Sequence, residues 1–130
     1  MKLLYLPLLA LLALFTTPLT DTIDKVSELI AKGNTTELAK LFAPSVDISI
    51  ADQENTYTRD QAALVLQKFF AQNAPRGSKM LHKINSSANY SFGVIILNTD
   101  KGPYRIAFTL KEVSGVMQLI DLKIETEKVK

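Results

Sequence analysis

Two hydrophobic periods divide the chain. From Ile23 to Phe42 the apolar positions recur at helical spacing: Ile23, Val26, Leu29 and Ile30, then Leu38, Leu41 and Phe42. Asp21 or Thr22 offers an N-cap for the first helix, and Gly33 a stop. Asn34, with Glu37 three residues on, caps a second helix, which Pro44 is expected to end. At Val46 the period drops to two. Val46, Ile48 and Ile50 alternate with Asp47 and Ser49, as on a half-buried strand. Ala51 to Asn55 (ADQEN) reads as a polar turn, with Thr56 and Tyr57 as a short extended piece.

The helical period returns once, from Arg59 to Asn73. Thr58 before it and Gln61 three residues later form a capping-box pattern. Ala62, Ala63, Leu64, Val65, Leu66, Phe69 and Phe70 make an apolar arc too wide for a helix with one partner. The Leu66, Phe69 and Phe70 side is assigned to a sheet, and the Leu64 and Val65 side to the preceding helical hairpin. Pro75 and Gly77 then break the helix. Four strands are expected after it: Lys79–Asn85, Tyr90–Asn98, one through Tyr104, Ile106, Phe108 and Leu110, and Gln118–Glu125. Thr99 to Gly102 and Val113 to Gly115 supply the turns between them. In the last strand Ile120, Leu122 and Ile124 are expected to share a face. Helices grouped before an antiparallel meander indicate an α+β fold. N-terminal helices and one longer helix pack on a curved antiparallel sheet.

Composition changes the picture mainly at the front. Leu3 to Phe15 carries no charge and follows Lys2. A bilayer span needs roughly 20 apolar residues, and the h-region of a secretory signal about 7 to 15. Residues 1–20 therefore read as a signal peptide and 21–130 as one exported domain, periplasmic or extracellular. Retention as an N-terminal membrane anchor is the alternative, since no A-x-A site precedes Thr20. The chain has no cysteine, which removes disulfides, thiol catalysis and thiolate metal sites. The net charge of +2 is spread without a dense basic stripe, so no nucleic-acid partner is expected.

The candidate chemistry is thin. One histidine and no cysteine make no metal set, and no phosphate loop, nucleophile elbow or triad is visible. Asp47, Asp121 and Glu125 alternate away from apolar neighbours and read as solvated charges. His82 is expected to share a face with Met80 and Ile84; inside a cone its neighbours would be Tyr57 or Tyr104. These three are the candidate ligand-binding residues. Arg105 is expected to bind an acidic group or pair across strands with a carboxylate such as Asp121. Asn34-Thr-Thr, Asn85-Ser-Ser and Asn89-Tyr-Ser match the N-glycosylation pattern, which is idle in a bacterium.

TRDQAALVLQKFF, the lone His in LHKINSS, YSFG, GPYRIAF and LIDLKIE, in this order from about Thr22 to Glu125, resemble the nuclear-transport-factor-2-like superfamily. More narrowly, the chain resembles a family of small exported proteins of unknown function from Bacteroidetes-type bacteria. The resemblance implies a cystatin-like, cone-shaped α+β fold and export. It implies no particular activity, because one fold hosts many functions.

The reading that follows is an exported module, without catalytic residues or cofactor, that binds a small apolar ligand or a protein partner. The alternative is a cone-type isomerase, dehydratase or hydrolase using His82 with a nearby tyrosine. Phe92 to Leu97 (FGVIIL) lacks polar alternation, so one of the pairs Val94/Ile96 and Ile95/Leu97 must emerge on the outer face of the sheet. With Leu81, Leu119 and Arg105 it would form a patch for a homodimer or a protein partner. Leu81, Val94, Ile95 and Arg105 are the candidate interface residues. The stems of Lys83, Arg105 and Lys123 are the alternative cover for that patch.

Overall fold

The computed structural model describes residues 21–85 and 89–127. The expected signal segment lies outside the described residues. Nine elements follow one another: α1 (Thr22–Lys32), α2 (Thr35–Ala39), β1 (Phe42–Ile50), β2 (Gln53–Thr58), α3 (Arg59–Gln72), β3 (Pro75–Asn85), β4 (Tyr90–Thr99), β5 (Gly102–Val113) and β6 (Val116–Thr126). The strands form one six-stranded sheet in the order β2-β1-β6-β5-β4-β3. All neighbours are antiparallel except β1 and β6, whose parallel pairing joins the N-terminal strands to the meander. The fold is α+β, as the order of periods requires.

The helix ends obey local chemistry. Asp21 accepts the Ile23 N–H at 2.9 Å, and Gly33 closes α1 in the left-handed conformation at φ 64°. The Asn34 side chain accepts the Glu37 N–H at 3.2 Å. Thr58 and Gln61 form both bonds of the capping box. Lys83, on β3, donates to Asp24 at 2.8 Å and lies 3.1 Å from Asp21, which clamps the start of α1 to the sheet edge. The Ile23 N–H bond, with Lys83 beside it, holds the Asp21 carboxyl below its usual range.

The core lies between the helices and one face of the sheet. Ile23, Val26, Leu66, Ile95, Leu97, Ile106, Phe108, Leu122 and Ile124 are among its buried members. Phe69 and Phe70 belong to it as well, meeting edge to face at 5.7 Å. Leu64 does not: it is 65% exposed, and the side of α3 nearest the hairpin carries Ala63 and Gln67 instead. Phe42 is not helical either. The second helix stops after one turn, and Phe42 opens β1, buried and paired with Leu119. Pro44 tolerates this because it is exposed and lies where the β1–β6 register shifts. Gln53 to Asn55 belong to β2, and the turn narrows to Ala51 and Asp52, with Ala51 at φ 56°.

Bulges bend the sheet and reassign its faces. Between Met80 and His82 the β3–β4 register shifts, with Met80 opposite Ile95 and His82 opposite Val94. Ile95 is buried, so Met80 points inward and His82 outward; the two do not share a face. A second shift leaves Ile120 extra, with Leu119 opposite Leu110 and Asp121 opposite Thr109. Leu119 is thereby wholly buried rather than on the outer face.

Gly93 faces Phe108 across β4 and β5. A Cβ at Gly93 would lie 2.4 Å from the Phe108 ring, so the ring occupies the space a side chain would take. Gly93→Ala is expected to destabilise the protein by about 1 to 3 kcal/mol through overpacking. In a Phe108→Leu background the same change is expected to cost clearly less, because the two sites share one volume. Urea melts of the four proteins check this, and equal costs in both backgrounds would exclude the contact.

Candidate functional site

A cleft of about 360 Å³ lies between the β1–β2 hairpin and α3, and it is more enclosed than the grooves of about 370 Å³ beside α2 and about 570 Å³ past Tyr57. Two periods build it. On α3, Val65, Lys68, Phe69 and Gln72 follow i, i+3, i+4, i+7 and form one stripe. On β1 and β2, Ile48 and Ile50 face the helix side together with Gln53, Asn55 and Tyr57, their register partners being Ile50–Gln53, Ile48–Asn55 and Val46–Tyr57. The floor is apolar: Ile48, Ile50, Val65 and Phe69. The rim holds three carboxamides, one phenol and one ammonium, and no carboxylate lines it. Asn55 Nδ2 donates to the Tyr57 hydroxyl oxygen at 3.3 Å, which leaves the hydroxyl proton available to an acceptor in the cleft. A shallower groove continues past Tyr57 to Gln61 and the exposed Leu64.

The sequence candidates are dispersed. Tyr57 lines the cleft. Tyr104 is half-buried beyond it: its hydroxyl donates to Asn73 Oδ1 at 2.8 Å, and its ring meets Phe69 edge to face at 5.1 Å. His82 lies on β3, the edge of the sheet opposite β2, and is exposed on the outer face. The bulge at Leu81 puts it on the face opposite Tyr104, and four strands separate it from Tyr57 on β2. The histidine–tyrosine pair required by the enzymatic alternative is therefore not formed. Gln53, Asn55, Lys68 and Gln72 were not foreseen. Extending the strand alternation of Tyr57 back through Asn55 and Gln53 finds half of them, and the helical stripe through Phe69 finds the rest.

The outer face has two halves. At the β3–β4 end, Ile84 (55% exposed) lies opposite Phe92 (39% exposed), and the Phe92 ring stacks on Tyr90 at 6.4 Å. Lys111 sits over the Tyr90 ring at 5.7 Å. Val94 and Ile96 are the outward pair and are half-buried; Ile95, wholly buried, belongs to the core and not to an interface. Leu81, at the bulge, is half-buried. Lys83 turns inward to α1 and covers none of this face. Arg105 pairs with Glu127 at 2.9 Å and not with Asp121, because its register partner on β6 is Glu125.

The other half is acidic. Asp121 lies opposite Asp47 in the parallel pair, and Thr56 donates to Asp47 at 2.6 Å. Burial, with Asp47 and Glu54 nearby, pushes the Asp121 carboxyl above its usual range. Among the described residues no group of three or more His, Cys, Asp or Glu side chains is arranged to hold a metal ion.

Residues 23–125 match the family profile described as a domain of unknown function, DUF4783. No curated protein matches the chain. Among solved structures, a DUF4783 family protein from Bacteroides ovatus is 22% identical with a TM-score of 0.77, over 80% of this chain and 94% of that one. A nuclear-transport-factor-2-like protein of unknown function from Shewanella baltica is 14% identical with a TM-score of 0.63, over 82% and 92%. An uncharacterised bacterial protein with a cystatin-like fold from Silicibacter pomeroyi is 16% identical with a TM-score of 0.61, over 88% and 79%. At these identities the structural likenesses establish the fold alone: cystatin-like and nuclear-transport-factor-2-like.

Proposed function

For a chain that belongs to the DUF4783 family, whose function is unknown, we propose a non-enzymatic module that binds a small ligand in the cleft between β1–β2 and α3. The observation that carries this reading is the cleft's lining. An apolar floor under a few convergent polar groups is the usual composition of a small-molecule site. The same lining supports binding over catalysis. Lys68 and Tyr57 are the titratable groups of the cleft, and neither faces a carboxylate or an imidazole that would set up proton transfer. The test is a screen of small uncharged aromatic and aliphatic fragments by amide NMR. Shifts are expected to cluster on β1, β2 and α3, and to vanish in Val65→Trp, whose larger side chain fills the cleft from a half-buried position. Shifts confined to the outer face, or unchanged in Val65→Trp, would refute the site.

The outer face supports a second role, association with another copy of this chain. Its apolar end carries Ile84, Phe92 and Tyr90 with Lys111 beside them, and its other end carries Asp47, Glu54 and Asp121. A two-fold arrangement sets each basic, apolar end against an acidic end. Sedimentation at tens of micromolar protein is expected to show a dimer that Phe92→Lys dissociates. A monomer throughout would exclude this association.

A further inference from the structure

The cleft's polar rim has a sign. Lys68 is exposed and makes no ion pair among the described residues. Its helical neighbours three and four positions away are Leu64, Val65, Ala71 and Gln72, none of them acidic, so α3 itself supplies no counter-charge. The Tyr57 hydroxyl accepts from Asn55 and so presents its proton. No carboxylate lines the cleft, and the acidic cluster of Asp47, Glu54 and Asp121 belongs to the opposite face of the sheet. The mouth thus offers an uncompensated cation and a phenolic donor above Ile48, Val65 and Phe69.

From this juxtaposition we propose that the cleft takes an amphipathic monoanion: a compact aromatic or short aliphatic body ending in a carboxylate. The proposal rests on the cleft being a ligand site and adds the chemical class of the ligand. The body lies against Val65 and Phe69, excluding water from the apolar floor. The carboxylate meets the Lys68 ammonium and the Tyr57 hydroxyl as charge-assisted hydrogen bonds. A cationic ligand of the same shape would meet Lys68 as a like charge and find no carboxylate to offset it. A neutral ligand fills the floor equally well but forgoes the charge-assisted bonds. Because the cleft is open to solvent, the advantage of the anion is modest and falls with added salt.

The test uses three molecules with one body: 4-phenylbutyrate, its primary amide and 4-phenylbutylamine, each titrated into the protein at low salt and followed by amide NMR. The acid is expected to bind about fivefold more tightly than the amide, as an exposed charge pair allows, and the amine more weakly than either. Lys68→Met is expected to remove the preference for the acid, and Lys68→Arg to retain it. Lys68 is exposed, so neither change threatens folding, and an unperturbed amide spectrum is the check of that. Equal affinities for acid and amide at the cleft would overturn the anion proposal and leave the ligand site standing. Failure of all three to shift β1, β2 and α3 would overturn both.

Discussion

The fold depends on one face of a bulged sheet being covered by three helices, and on that face the Phe108 ring fills the space a side chain on Gly93 would take. An aromatic ring laid over a cross-strand glycine restores the buried apolar area the glycine lacks and covers its bare backbone. Bulges at Leu81, at Ile120 and between Phe42 and Asp47 add local twist to β3, β6 and β1. Curved in this way, one face of the sheet takes α1 at the β3–β4 end and α3 at the β1–β2 end. The cleft is what remains open beside α3.

Local order was legible in the sequence to the extent that it was set locally. The three N-caps, the capping box and the strand periods are written in adjacent residues, and the elements stand near where those residues place them. Phe69 and Phe70 were recognisable as core because a helix stripe that greasy has to be covered. Face assignments beyond a bulge were not legible. A single extra residue inverts every side chain after it, so His82 emerges where it was expected inside, and Leu119 is buried where it was expected outside. No pattern of apolar and polar residues announces such a shift, because Leu81 and Ile120 are themselves apolar. Leu64 was misplaced for a different reason. The short α2 gives α3 less to cover than a full second helix would, and Ala63 is enough to meet it.

The candidate site was the least legible part. Gln53, Asn55, Lys68 and Gln72 are the residue types that normally cover a solvated surface, and only the approach of β2 to α3 turns them toward a common space. Tyr57 was identified, but its expected companions were not: Tyr104 is engaged with Asn73 and Phe69, and His82 sits on the far edge strand. The physical difference is one of contact order. Caps and periods involve residues a few positions apart, whereas the cleft joins β1, β2 and α3 through tertiary packing alone.

Two surfaces of the same sheet thus carry different chemistry: an amide-rimmed cleft on the helix side, and a face split between apolar and acidic ends on the other. The proposed function requires the first to be open and to be the place where a molecule is held. The most direct measurement is a crystallographic map of the protein isolated from the cells that make it. The account predicts a cleft open to about 360 Å³, with density for a bound molecule over Phe69 between Tyr57 and Lys68. A cleft closed by its own side chains, or a bound molecule seated elsewhere, would contradict it.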